Sequence, residues 1–286
     1  MIWGQVAIDW AHLAILTMAV GILLHELGML SLGHAGLLLT GAYCWAFWAR
    51  GDLSLFGSLA IGGVVLMVMS LTALRVQDDI FAVVTMALGE ALRLFSLGAA
   101  ELTGGSVGLG PIPRSDWVAS ARGSQVLGLA TVLMVGFVSV VTLRRWPGVV
   151  LGSIRDAELL TQGMGVRTRR IRFIVVALTC AAAAIAGALQ VAYFGLATPT
   201  MGALDVSLQA VAAAMLAWPL WRQNRPMRST AGFLMGSAIV VIIPPLLRQI
   251  IHGGFDVAVL RQALFGALLY GLVHPRSPLS KLLEHS

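Results

Sequence analysis

Apolar runs of helix length recur along this chain with little but arginine between them, a pattern that no water-soluble fold accommodates. Taking roughly 20 residues for one crossing of a bilayer, spans are expected near residues 6–24, 33–49, 56–74, 80–98, 125–143, 173–193, 207–218, 231–250 and 260–273. The expected fold is all-α, a polytopic transmembrane helical bundle of about nine spans within a range of eight to ten. Composition agrees: 11% of residues are charged, where soluble domains carry about 25%. The run at 207–218 is short and the one at 33–49 is rich in glycine and polar residues. Either is a candidate broken or re-entrant segment, which a bilayer tolerates only where protein buries it. The first run has no basic region before it and no clean small-residue cleavage site, so it is expected to be a span and not a removed signal. Residues 1–286 are expected to form one transmembrane domain with no soluble domain on either side.

Charge sets the orientation. The connection at 144–172 carries Arg144, Arg145, Arg155, Arg167, Arg169, Arg170 and Arg172 against Asp156 and Glu158, and basic connections between spans stay in the cytoplasm. Alternation then places Arg222, Arg225 and Arg228 inside, together with a tail carrying Arg276 and Lys281. The same count puts the N-terminus and the glycine-rich connection at 99–124 outside, with Arg114 and Arg122 as mild exceptions. A net charge of +6 is thereby explained by topology, and no nucleic acid is called for. Cys44 and Cys180 lie in apolar runs without ligand spacing and read as small core residues. Lys281 is the chain's lysine, so the Gly-x4-Gly-Lys phosphate loop is absent and ATP has no recognisable site. No metal-ligand cluster, Gly-x-Ser-x-Gly elbow or pair of carboxylates at one depth argues for a membrane enzyme. A secondary carrier calls for an intramembrane relay of charges, and Glu90 with Arg93 is the one clear candidate.

Within 144–172, Ser153-Ile154-Arg155-Asp156 has the spacing of a capping box, so a short helix is expected to begin at Ser153 and to end at Gly165. Ile154, Ala157, Leu160 or Thr161, and Met164 recur at helical spacing as an apolar stripe. Such a helix suits a groove on a partner protein or a seat on anionic lipid. In the second run, Ser31, Gly33, His34, Thr40 and Tyr43 put small and polar side chains at membrane depth, serving either close helix packing or a substrate path. His34 alone reads first as a hydrogen-bonded core histidine. Glu90 and Arg93 are within pairing reach on one helix face. His25 and Glu26 fall at a helix end, where exposure is expected. The connection through Thr103, Gly104, Gly105, Gly108 and Pro113 combines glycines that let a backbone come close with prolines that stiffen its exit.

Taken in order, these segments resemble the membrane permeases of branched-chain amino acid ABC importers, and the M-type subunit more than its H-type partner. The resemblance runs from about Ile8 to Pro278. It rests on Leu30-Ser31-Leu32-Gly33-His34 with Gly41-Ala42-Tyr43, on Phe81-Ala82-Val83-Val84-Thr85 with Gly89-Glu90-Ala91-Leu92-Arg93, on Leu102-Thr103-Gly104-Gly105 with Gly108 and Ile112-Pro113, and on Ile154-Arg155-Asp156 with Gly165-Val166. Ala186-Gly187-Ala188-Leu189 and His274-Pro275-Arg276 add to it. The resemblance implies a multi-pass permease subunit of the bacterial inner membrane that is not itself an enzyme. It would pair with a second permease, as a heterodimer, contact two ATP-binding subunits, and accept substrate from a periplasmic binding protein. ATP and Mg would be bound by those ATPase partners, leaving this chain without a cofactor. Residues 144–172 become a cytoplasmic coupling loop within a permease domain, contacting the ATPase through Ser153, Ile154, Arg155, Asp156, Ala157, Glu158, Leu160, Thr161, Met164 and Gly165. Ser31, Gly33, His34, Thr40, Tyr43, Thr85, Glu90, Thr103, Gly104 and Gly105 form the candidate substrate path. Two departures stand out: Leu160 and Thr161 replace the usual pair of alanines, and Pro219-Leu220-Trp221-Arg222-Gln223-Asn224-Arg225 replaces a glycine-rich segment. The second leaves the substrate open, with urea, short amides and sugars as alternatives to branched-chain amino acids.

Overall fold

The computed structural model describes residues 2–76, 78–114, 116–145, 148–217, 226–250 and 266. Helices form where the apolar runs predict them: α1 (Ile2–Glu26), α2 (His34–Arg50), α3 (Leu55–Arg75), α4 (Asp78–Gly98), α7 (Ala121–Arg145), α9 (Thr168–Phe194), α10 (Leu204–Leu216) and α11 (Pro226–Ile250). Between them lie the short α5 (Ala100–Thr103), α6 (Asp116–Ala119) and α8 (Gly148–Gly163), with 3-10 turns at Gly105–Val107 and Pro199–Gly202. Among the described residues, five helices are long and apolar enough to cross a membrane. The expected span at 260–273, the basic residues Arg222, Arg225, Arg276 and Lys281, and the 219–225 departure lie outside the described residues.

Helix α1 is the axis of the bundle. Leu16, Met18, Val20 and Leu23 are fully buried on it, and α7, α9, α10 and α11 all pack around it. Helix α7 runs alongside in the same direction, since Gly128 meets Ala11 and Gly136 meets Met18. At the far end of α1, His25 Nε2 is 3.0 Å from the Ala214 carbonyl of α10 and the His25 ring stacks on Phe233 of α11. By contrast α3, α4 and α7 leave most of their apolar surface uncovered.

The two doubtful runs form the shorter helices of the bundle. Helix α2 has 17 residues and α10 has 13, about 25 and 20 Å at 1.5 Å per residue, short of a hydrocarbon core of about 30 Å. Non-helical residues 27–33 carry the chain from the end of α1 into the interior, where α2 starts beside the middle of α4: the Leu32 amide donates to Thr85 Oγ1 at 3.2 Å. Helix α2 then follows α4 outward. The Ala35 amide, left without a partner inside its own first turn, donates to Ser207 Oγ of α10 at 3.1 Å. A side chain from the first turn of α10 thus caps the start of α2 deep inside the protein, and α10 runs from there to the α8 end.

Candidate functional site

Helix α8 lies at the end of the bundle where α1, α3 and α10 finish and α4 and α9 begin. It starts at Gly148, five residues before the expected capping box, because Val149, Val150 and Leu151 continue the helical pattern and Leu151 is fully buried. Ser153 is therefore an interior residue whose Oγ donates to the Val150 carbonyl at 2.8 Å. Asp156, the other half of the expected box, pairs with Arg155 at 2.8 Å. That hydrogen bond holds the Asp156 carboxyl below the usual carboxylate range and raises the Arg155 guanidinium.

The apolar stripe is also corrected. Ala157 leaves the helical region (φ −154°, ψ 64°) and kinks α8, so residues before and after it no longer share a face. Ile154 packs into the core at 3% exposure, whereas Leu160 and Met164 stand out at 73% and 72%, joined by Leu159 at 83%. Thr161 turns inward and stitches the kink, donating from Oγ1 toward the carbonyls of Ser153 and Ala157 at 2.9 Å each. Gly165 ends the segment as expected: at φ +85° it takes a conformation that disfavours side chains, and the Val166 amide returns to the Thr161 carbonyl at 3.3 Å. Leu159 had a sequence signal in its place beside Leu160, but strict helical spacing excluded it.

Side chains clamp this tip to the spans. Arg155 Nη1 donates to the His25 carbonyl at 2.8 Å. Glu158 accepts from Arg172 Nη1 at 2.6 Å, from Thr168 Oγ1 at 3.0 Å and from Gln162 Nε2 at 3.1 Å, tying α8 to the first turns of α9. Contrary to expectation, His25 and Glu26 are buried at 2% and 5% exposure: Ala214 and Phe233 enclose the His25 ring, and Arg155 of α8 lies beside Glu26.

The path candidates fall into three places. Ser31, Gly33, His34 and Thr85 sit where α2 starts: Ser31 Oγ lies 2.9 Å from His34 Nδ1, and Thr85 Oγ1 donates to the Phe81 carbonyl at 2.8 Å. A side chain on Gly33 would meet the Thr85 carbonyl, and one on Gly36 would reach within 2.6 Å of Gly89, so the α2–α4 seam is closed by backbone contact. Thr40 Oγ1 donates to its own helix at the Gly36 carbonyl. Tyr43, Thr103, Gly104 and Gly105 gather at the opposite end: Tyr43 Oη donates to the Thr103 carbonyl at 3.4 Å, and Thr103 Oγ1 donates to the carbonyls of Ser96 and Ala99. There the glycines admit the protein's own backbone. A side chain on Gly104 would strike the Gly108 carbonyl and one on Gly108 the Ala197 carbonyl, while Leu109 pairs with Ala197 and the Ile112 amide donates to the Gly195 carbonyl. Glu90 stands apart on the uncovered side of α4, half-exposed, its carboxylate gripped by Arg93 Nε at 2.9 Å. Among the described residues no three His, Cys, Asp or Glu side chains gather as metal ligands would.

A bundle with one kinked, clamped helix at its end has relatives. The chain is 26% identical over 208 residues to the high-affinity branched-chain amino acid transport system permease protein LivM of Escherichia coli (strain K12), covering 60% of this chain and 48% of that protein. It is 24% identical over 258 residues to LivM of Salmonella typhimurium, covering 78% and 58%. The chain therefore spans about half the length of the curated relatives it matches. Among solved structures, PsaBC from Streptococcus pneumoniae in complex with Fab shares the fold, with a TM-score of 0.50 over 98% of this chain and 93% of that one at 14% identity. Residues 6–273 match the family described as branched-chain amino acid transport system / permease component. This chain belongs to that family.

Proposed function

We propose that the chain is the membrane-spanning subunit of an ATP-driven importer that moves branched-chain amino acids, or a related small polar solute, across the bacterial inner membrane. The observation that carries the reading is α8, a short helix clamped to α1 and α9 whose Leu159, Leu160 and Met164 point away from the bundle. Three apolar side chains held in water by ion pairs and hydrogen bonds lose free energy unless something covers them. Each is worth roughly 1.5–3 kcal/mol when buried. An ATPase subunit that seats this tip could pull on α1 and α9 through Arg155 and Glu158. In this reading α8 faces the cytoplasm, as does the C-terminus, the N-terminus is outside, and ATP and Mg are held by two separate ATPase chains.

Substrate passes between this chain and a second permease. The closed α2–α4 seam leaves no passage between those two helices, and the uncovered face of α4, with Glu90 and Arg93, is free to border a shared pathway. A periplasmic binding protein would deliver its load at the opposite end, near Thr103 and Val107. Branched-chain amino acids are the favoured cargo because the family and both LivM relatives bear that description. The test is uptake in proteoliposomes holding this chain with a partner permease, an ATPase and a binding protein from the same source. ATP-dependent accumulation of leucine, isoleucine or valine is the expected result. Accumulation of urea, short amides or sugars instead would replace the cargo, and solute movement without the ATPase would overturn the class.

A further inference from the structure

Where the last turn of α3 meets α8 and the start of α9, the structure holds a recess of about 350 Å³ in which Arg75, Glu158, Gln162, Arg169 and Arg172 meet the apolar Leu74 and Leu159. Its single described carboxylate, Glu158, is already engaged by Arg172, Thr168 and Gln162. Arg75 and Arg169 are exposed, and among the described residues neither takes part in an ion pair. The described lining therefore carries uncompensated positive charge in a concave site, and guanidinium groups match phosphate oxygens in charge and geometry.

Depth and surroundings narrow the ligand. The 21 residues of α3 span about 31 Å, the thickness of a hydrocarbon core, so Arg75 at its end sits where lipid headgroups begin. Val64, Met67, Val68 and Leu71 are all exposed and precede Arg75 at helical spacing on one face. An apolar track thus runs down α3 and finishes in the basic recess. Free phosphate would use the recess alone, while a phospholipid uses both. We infer that the recess binds the phosphate of an anionic phospholipid whose acyl chains lie along α3. Such a lipid sits beside the Glu158–Arg172 pair that holds α8, which couples headgroup charge to the clamp. The inference rests on the membrane-spanning fold and is independent of cargo.

Full-length protein, purified with its co-purifying subunits, is titrated with tail-labelled phosphatidylglycerol, with phosphatidylcholine and with inorganic phosphate. Phosphatidylglycerol should bind in clear preference to the other two. The double variant Arg75→Gln/Arg169→Gln should weaken it roughly ten- to thirtyfold, Arg75→Lys/Arg169→Lys should retain most of it, and Arg114→Gln at the opposite end should leave it unchanged. Equal binding of phosphatidylglycerol by the glutamine variant and the wild type would overturn the inference, as would inorganic phosphate competing as strongly as the lipid. Loss of a co-purifying subunit from the glutamine variant with lipid binding intact would assign the recess to an acidic protein segment instead. Because the readout is lipid binding, failure here and failure of the transport reading are separable.

Discussion

The two ends of this bundle are held in opposite ways. At the α8 end, side chains do the holding: Arg155 on the end of α1, and Glu158 on Arg172, Thr168 and Gln162. At the other end, backbone pairs with backbone across the layer, with Leu109 paired to Ala197 and Gly104, Gly108 and Ile112 folded against carbonyls, and the side chains of Tyr43, Thr103 and Arg114 add bonds to it. Side-chain clamps can loosen and reform while every helix stays intact. A backbone zipper is either closed or undone. The first suits an element that transmits motion, the second a rigid rim.

The largest effect should come from attacking the zipper. Gly108→Val sets a side chain against the Ala197 carbonyl at φ +81°, and strain plus overpacking should cost about 3 kcal/mol or more, read as a sharp drop in melting temperature or in folded yield. Its counterpart at the other end, Gly165→Ala, has φ +85° but nothing within 4 Å, and should cost about 1 kcal/mol. Equal losses at the two positions would erase the contrast between the ends.

Next is Glu158→Gln, which removes the charge facing the largely buried Arg172. A charged hydrogen-bonding group that loses its partner typically costs about 1–3 kcal/mol. ATP hydrolysis stimulated by substrate should fall further than stability does, because the clamp and not the core is weakened. Loss of stability in proportion to loss of stimulation would make Glu158 an ordinary structural residue. The mildest test is accessibility, in a background with Cys44 and Cys180 replaced. Val107→Cys, 79% exposed at the zipper end, should react with a membrane-impermeant maleimide on intact spheroplasts, and Met164→Cys, 72% exposed on α8, should react only after the membrane is opened. The reverse pattern would invert the orientation.

Much of this architecture was legible in the chain because apolar runs of span length leave the backbone no choice but helix in a bilayer. Even the two odd segments announced themselves, 207–218 by length and 33–49 by its glycine and polar content. What stayed hidden depends on contacts far apart in sequence. Ser207 capping α2, Ala197 pairing with Leu109, and Ala214 and Phe233 enclosing His25 leave no local trace. The kink at Ala157 was hidden for another reason. Helical periodicity assumes an unbroken helix and so groups Ile154 with Leu160 and Met164, whereas the kink buries Ile154 and turns Leu159 outward beside Leu160. Gly104 and Gly108 are places of close backbone approach, and the approaching group is the chain itself.

In the proposed importer the exposed tip of α8, and not its buried stripe, docks the ATPase. The most direct test is co-purification of the ATPase with Leu160→Asp. The ATPase should be lost and its stimulated hydrolysis abolished, while membrane insertion and the melting temperature of the isolated permease stay at wild-type values. Wild-type recovery of the ATPase with Leu160→Asp would contradict this docking and leave α8 as a helix resting on the membrane surface.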